Sequence, residues 1–543
     1  VMTHHFRSLF VISIHTVMLV LLVGCKNLPD TPHLPKSLAL TKQVQERHQM
    51  VKHGGSSDGL ISAINAQSHH HPNQSGYYPI TTGANAFAAR STLTDVANQS
   101  IDIQYYIWHN DEAGQLMLKD LWEAADRGVI VRLLLDDFNS SPELDQLLLR
   151  ISKHKNIAVR LINPMPYRGF RSLNYMLHPI RTNRRMHNKS MTFDNKISVI
   201  GGRNIGNEYL NNAPVNHFAD LDVMLVGHVV GKITQSFEIY WASPLSFDIE
   251  TLVKHDNKDD ISGIKPVVFD ELEKVKDSSD ADRELRTYRQ AMQNSTIGQD
   301  LLAQQVPFFW TEIDLIADNV IKLNGHSDPN EFLVSQLQTQ LGQPSKKLSI
   351  ISSYFVPTKE GIDTLITLAK MGVEVRILTN SFDATDVGIV HAGYAHWRKQ
   401  LLAAGVHLFE IKSSAQSIQD NENRFWRTRQ HSTTSLHAKA FAVDDDQIFI
   451  GSYNVDPRSA NINTELGVLI KDSKLAGQLH KALSNSQAIT HQAYELKLDA
   501  KGNINWHTIE NGQPVILHHE PHMNHKDRII IWLAGLMPID WLL

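Results

Sequence analysis

The sequence predicts an α/β fold of two similar halves, each a mixed sheet flanked by helices, packed around one shared site. Three observations predict it. First, Ser100–Asp137 and Lys347–Ser381 share one order: an apolar run, a polar loop, an amphipathic helix, Gly-Val-x-Val-Arg and a second apolar run. That order is strand–helix–strand, the unit of a parallel sheet covered by helices. Second, His187-Asn188-Lys189 followed by Asp194 is repeated as His437-Ala438-Lys439 followed by Asp444. Third, each string runs on into a glycine turn ending in asparagine, Gly201-Gly202-Arg203-Asn204 and Gly451-Ser452-Tyr453-Asn454. The spacing is nearly constant, since Gly128 precedes Gly372 by 244 residues and His187 precedes His437 by 250.

Taken in order, residues 1–25 carry Arg7, a mostly apolar stretch from Leu9 to Val23, and Gly24 before Cys25. This reads as a secretory signal with a lipoprotein box, acylated at Cys25. An uncleaved signal anchor is the competing reading, but the stretch is short for a ~20-residue span. Cys25 is the only cysteine, which excludes a disulfide within the chain. Residues 26–90 are polar, include His69-His70-His71, and are expected to form a tether plus a first helix. The first half then spans 91–250, a charged linker or insert 251–340, the second half 341–500, and a tail 501–543 with an apolar end. That end, Arg528 to Leu543, is expected to dock on the body or dip into a membrane interface.

Each motif reads as a β-hairpin, two short apolar strands around a turn rich in Asp and Asn. Residues two apart on a strand share a face, so His187 projects with Lys189 and His437 with Lys439. The returning strand brings Asn204 or Asn454 to the same face. Imidazole, ammonium and carboxamide suit a phosphodiester. Lysine offers charge and asparagine N–H donors to the non-bridging oxygens. Histidine can attack when neutral or donate a proton to a leaving oxygen. Two lysines already supply positive charge, so no cofactor or metal is expected. Asp194 and Asp444 read as turn residues. A carboxylate behind each imidazole would fix its tautomer. Asp220 is expected behind His187, with Asp222 as competitor, and Glu465 behind His437. Arg184, Arg185, Arg203 and Arg458 are expected to make the cleft basic. Gly202 replaces Ser452, so the two half-sites are unequal. The residues leave open which histidine attacks.

With these motifs the chain resembles the phospholipase D superfamily. Asn183–Lys189, Val390–Tyr394 and Asp456–Ala460 resemble, within it, bacterial cardiolipin synthases of the C type and related envelope lipoproteins. The resemblance covers roughly residues 90–500. It implies a two-step reaction through a phosphohistidine, with His187 as nucleophile and His437 as acid and base. It also implies phospholipid substrates, phosphatidylethanolamine and phosphatidylglycerol among them, a monomeric catalytic unit, and a lipid-anchored place facing the periplasm. Lys26 after the acylated cysteine points to the outer membrane. Tyr106, Tyr354, His391 and Tyr394 are expected to line the cleft. The net charge of −5 gives no general attraction to nucleic acid. The competing functions are an envelope phosphodiesterase or nuclease with the same catalytic set, and a non-catalytic envelope binding lipoprotein. Synthesis and hydrolysis differ only in the acceptor and stay open.

Overall fold

The computed structural model describes residues 28–52, 59–210, 217–254, 265–274, 288, 290, 292–385, 388–413, 434–524, 526 and 528. Cys25, the signal segment and the apolar end beyond Arg528 lie outside the described residues.

In the first half, β1 (Ser75–Ile80), β2 (Ser100–Tyr105), β3 (Ile130–Asp136), β4 (Ile157–Ile162), β5 (Ser190–Phe193), β6 (Ile197–Gly201), β8 (Asp222–Gly227), β9 (Ser246–Asp248) and β10 (Phe309–Thr311) form one sheet. A short strand, β7 (His217–Ala219), lies outside it. The sheet order is β10-β1-β8-β6-β5-β2-β3-β4-β9. The second half contributes β11 (Ile313–Ala317), β12 (Lys347–Ser352), β13 (Glu374–Asn380), β14 (His407–Ile411), β15 (Thr434–Leu436), β16 (Lys439–Val443), β17 (Gln447–Gly451), β18 (Leu466–Ile470), β19 (Ala493–Leu498), β20 (Ile504–Glu510) and β21 (Gln513–Leu517). Its sheet runs β11-β18-β17-β16-β12-β13-β14-β19-β20-β21, and β15 pairs with β7. The segments β8-β6-β5-β2-β3-β4 and β18-β17-β16-β12-β13-β14 are therefore the same arrangement twice.

The strand–helix–strand units form as the sequence predicts. β2 pairs parallel with β3, and β12 with β13. The intervening helices, Glu112–Asp126 and Lys359–Lys370, are capped by Asp111 accepting from Gly114 N–H and Thr358 accepting from Gly361 N–H. Gly128 and Gly372 follow these helices at φ 99° and 90°, a conformation that glycine adopts without Cβ strain. The hairpins β5–β6 and β16–β17 are antiparallel. Their turns hold Asp194 at φ 51° and Asp444 at φ 49°.

These two aspartates tie each hairpin to the strand that begins the half. Asp194 accepts from the N–H groups of Asn98, Gln99 and Ser100 at 3.0, 2.7 and 3.0 Å. Asp444 accepts from Ser345, Lys346 and Lys347. Asp194→Ala would strand three N–H groups at a buried position. It is expected to lower unfolding free energy by about 2–4 kcal/mol, measured by denaturant titration, while leaving KM unchanged.

Three expected boundaries need correction. Residues 26–90 are not a tether where they are described. Leu40 and Val44 on the helix Pro35–Lys52 are buried, and β1 pairs with both β8 and β10. The polar composition reflects one solvated face of packed elements. The expected linker also contributes to both sheets, since β10 pairs with β1 and β11 with β18. The early tail adds β20 and β21 to the second sheet. Of the three adjacent histidines, His71 stacks on Trp310 with ring centroids 4.5 Å apart. The halves share an apolar core in which Ile200, Val223 and Leu225 meet Ala440, Ile450 and Val468. Among the described residues, no helix is long and apolar enough to cross a membrane.

Candidate active site

The carboxylates that meet the motif histidines are crossed between the halves. His187 Nδ1 lies 2.9 and 3.1 Å from the two oxygens of Glu465, and His437 Nδ1 lies 2.6 Å from Asp220 Oδ2. This overturns the expected pairing of Asp220 with His187 and Glu465 with His437. The reason is backbone register. β15 runs parallel to β7, with Leu436 opposite Ala219, so the next residues, His437 and Asp220, arrive together. Met186 bridges in parallel to Thr464, which delivers His187 beside Glu465. Main-chain bonds fix both meetings, His187 N–H to Thr464 O and His437 N–H to Ala219 O, each 2.9 Å.

Each carboxylate is held by its own buried network. Arg90 reaches Asp222 at 2.8 Å, Arg203 N–H donates to Asp222, and the Arg203 guanidinium donates to Asp220 O. Asp222, the competitor, is thus engaged by Arg90 and leaves the imidazole to Asp220. In the second half Asp318 accepts from Glu465 N–H at 2.9 Å and pairs with Lys322 at 2.9 Å. With Nδ1 held by a carboxylate, Nε2 is the ring atom of each histidine on the side away from that carboxylate.

The lysines sit as the strand spacing requires. Lys189 Nζ donates to His187 O at 2.8 Å, and Lys439 Nζ donates to His437 O and, at 2.9 Å, to Ser353 Oγ. Asn204 Oδ1 accepts from Ile107 N–H, while its buried Nδ2 has no hydrogen-bond partner among the described residues and can donate to a phosphate oxygen. Asn454 Oδ1 is fixed by Ser353 Oγ at 2.8 Å. Tyr106 stands edge-on to His187 with centroids 4.8 Å apart. Sequence reasoning missed its counterpart: Tyr209, also from the first half, stands edge-on to His437 at 5.2 Å. Its neighbours in sequence carry no motif; only the turn at Asn204, five residues earlier, places it near the site.

Two further expectations are corrected. Among the described contacts, His391 and Tyr394 meet neither motif histidine. They are buried in the second half, where His391 Nε2 meets Glu520 at 2.5 Å and Tyr394 packs edge-on to Phe355. On the helix Gly388–Ala395 that carries them, Ala392 also packs with Phe382 and Met523. Tyr354 is half-buried, beside the Ser353 that orients Lys439. The arginines are bound by other groups, although Arg203 still acts electrostatically on Asp220 and Arg458 on His187. Arg185 pairs with buried Asp136, Arg184 donates to Lys322 O, Arg203 holds main-chain carbonyls, and Arg458 binds Asn183 across the halves. Of the expected basic cleft, Lys189 and Lys439 are the members directed to the motif histidines.

Electrostatics divide the half-sites. Burial, then Lys189 and Lys439, hold the His187 imidazole well below the usual histidine range. Burial and Lys439 pull His437 down to about 3 against the opposing pull of Asp220. Lys189 is pushed down to about 7, chiefly by burial. Burial works against ionisation of Asp220, but His437, Lys439 and Arg203 outweigh it and hold its carboxyl below the ordinary value. Glu465 goes the other way, pushed up to about 7 by burial, with Lys189 opposing. Both imidazoles are thus held towards the neutral form in the protein alone. A phosphodiester anion placed between them would favour the charged lysines and the imidazolium.

Gly202 and Ser452 form compensated pairs with these carboxylates. Ser452 Oγ donates to Glu465 at 2.5 Å. A Cβ on Gly202 would lie 2.2 Å from Asp220 Oδ1. The shorter aspartate draws its carboxylate close to the turn, into space that the serine uses in the other half. Gly202→Ser is therefore expected to displace Asp220 and cut kcat at least about 100-fold, a general acid–base contribution lost. Gly202→Ser/Asp220→Glu should recover part of it in steady-state assays.

Among the described residues His109, Asp111 and Glu208 form one trio with metal-ligand geometry. Asp111 is already the cap of a helix and Glu208 lies 3.1 Å from His109. This trio is separate from the paired motifs.

A duplicated α/β fold with two His–carboxylate dyads and two lysines on one site defines a phospholipase D-type phosphatidyltransferase. The chain belongs to the family described as cardiolipin synthase, PLD-like domain, whose sequence model matches residues 92–241 and 337–486. It is 39% identical to cardiolipin synthase C of Escherichia coli (strain K12) over 488 residues, 89% of this chain and 99% of that one. It is 25% identical to a cardiolipin synthase of Staphylococcus aureus over 403 residues, 74% of this chain and 65% of that one. Among solved structures it is similar in fold to phosphatidylserine synthase of Haemophilus influenzae Rd KW20. The TM-score there is 0.53 at 13% identity, covering 89% of this chain and 99% of that chain.

Proposed function

We propose that the protein transfers a phosphatidyl group from one glycerophospholipid to the hydroxyl of another, making cardiolipin with phosphatidylglycerol as acceptor. The observation that carries this reading is the pair of crossed dyads, which gives one phosphodiester site an attacking imidazole and a proton-transferring imidazole at once. Nε2 of His187 attacks phosphorus, the phosphorus–oxygen bond to the leaving alcohol breaks, and His437, as the imidazolium that the bound phosphodiester anion favours, gives its Nε2 proton to that alcohol and becomes neutral. His437 then takes a proton from the acceptor hydroxyl as its oxygen displaces His187 from phosphorus. Lys189, Lys439, Asn204 and Asn454 hold the non-bridging oxygens throughout.

His187 is assigned the attack on the resemblance to the superfamily, which implies the first-motif histidine as nucleophile. The ionised Asp220 beside His437 suits the histidine that must become an imidazolium. Both dyads come from one chain, which supports a monomeric catalytic unit. Acylation at Cys25 would hold it in the bacterial envelope, facing the periplasm and, from Lys26, at the outer membrane.

The test supplies purified enzyme with labelled phosphatidylethanolamine and phosphatidylglycerol, separately and together. Cardiolipin formed with a suitable donor and acceptor is the expected result. Phosphatidic acid and free headgroup from either lipid alone, without cardiolipin, would make the enzyme a hydrolase instead.

A further inference from the structure

The stretch leading into the first motif has an unusual composition. From Asn163 to Lys189 there is no acidic residue, while Arg168, Arg171, Arg181, Arg184, Arg185 and Lys189 fall within it, in a chain of net charge −5. It folds as two short helices, Ser172–Leu177 and Pro179–Asn183, between β4 and the motif. Phe170, Tyr175, Met176 and Ile180 are 66%, 52%, 64% and 73% exposed, and Leu177 adjoins them. Five of the thirteen large hydrophobic side chains exposed among the described residues thus fall within eleven positions. Exposed apolar residues are ordinary when scattered; a cluster marks an interaction surface.

The underside of this hairpin is built and rigid. Asn174 is fully buried, its amide accepting from Tyr167 N–H and donating to Tyr167 O, both at 3.0 Å. Thr182 Oγ1 donates to Asn174 O, and Arg168 pairs with Asp137 and Asp145. The far end is pinned across the halves by Arg458 on Asn183 O at 2.8 Å, four residues before His187. A held framework therefore presents apolar side chains outward at the edge of the catalytic site. Beside them, Arg181 and Arg184 donate to main-chain carbonyls and, among the described contacts, meet no carboxylate.

We propose that this hairpin docks the enzyme on the surface of a phospholipid bilayer, with Phe170, Tyr175, Met176, Leu177 and Ile180 entering the boundary between headgroups and acyl chains. This rests on the phospholipid reading above. A substrate embedded in a bilayer offers its phosphate at headgroup level, so whatever surface adjoins the site meets the membrane. Aromatic and long aliphatic side chains partition to that depth, and the positive charge of a stretch without acidic residues favours anionic headgroups.

The experiment compares full-length protein with Phe170→Ser/Met176→Ser/Ile180→Ser on two forms of one substrate. On vesicles of phosphatidylethanolamine and phosphatidylglycerol, kcat/KM is expected to fall about 10- to 100-fold, reflecting lost burial of three apolar side chains. On dispersed short-chain phosphatidylglycerol below its micelle threshold, turnover should stay within about twofold, since no bilayer is present to meet the hairpin. Equal losses on both forms, or none on vesicles, would overturn the proposal. So would a change in oligomeric state without lipid, which would mean that a second copy covers the patch. Separately, Met176→Trp should shift its emission to the blue on adding vesicles. That shift without any lipid turnover would keep the docking surface and discard the reaction; turnover without the shift would do the reverse.

Discussion

His437→Asn is expected to capture the covalent intermediate. With a phospholipid substrate, turnover should fall by roughly 10³- to 10⁴-fold, because neither the leaving nor the entering hydroxyl has its proton partner. A phosphatidyl ester of p-nitrophenol does not need that proton to leave. On such a substrate the variant should release one equivalent of nitrophenol per enzyme and then stall, with an acid-labile phosphate on His187. His187→Asn should give no burst. A burst from the His187 variant and none from the His437 variant would exchange the two roles. The distinction is clean because each imidazole is bound at Nδ1 by a different carboxylate, Glu465 at 2.9 Å and Asp220 at 2.6 Å.

The second large effect follows from the crossing. Asp220→Asn should behave as a His437 lesion and Glu465→Gln as a His187 lesion, although each carboxylate lies in the same half as the other histidine. Either change is expected to cost roughly 10²- to 10⁴-fold in kcat, since the amide cannot stabilise an imidazolium or hold the required tautomer. On the nitrophenyl substrate Asp220→Asn should retain the burst while Glu465→Gln slows it. A burst lost in the aspartate variant and kept in the glutamate variant would contradict the crossed geometry. The two also differ in pH dependence. Glu465 sits at about 7 in the folded protein, above its value in an unfolded chain. Between those two values the native state binds more protons than the unfolded state, so this group lowers stability as pH rises through the window. The denaturation midpoint of Glu465→Gln, followed from about pH 4.5 to 7, should lack that decline.

The sequence made legible whatever is local. The repeated strand–helix–strand units, the hairpins, and the sharing of a face by His187 with Lys189 and His437 with Lys439 all depend on spacing within a few residues. The identity of the carboxylates was legible too, since Asp220 and Glu465 occupy matching places. Their partners were not, because register between β7 and β15 is a contact across more than 200 residues. The same limit hid Tyr209 and misplaced His391, whose neighbour Glu520 lies 129 residues away. Residues 26–90 were misread for another reason. Polar composition reports average solvation, and β1 needs only one buried face to join a sheet.

The strands β10 and β11 are separated by Glu312 alone, yet each belongs to a different sheet. Combined with the exchange of carboxylates, this makes catalysis a coincidence detector for assembly. A half expressed by itself would own a histidine, a lysine and a carboxylate but no completed dyad, so partial activity has no structural basis. Fragments divided near Glu312 would be silent separately. Any turnover on mixing them would report, without a tag or label, that the two sheets had found each other.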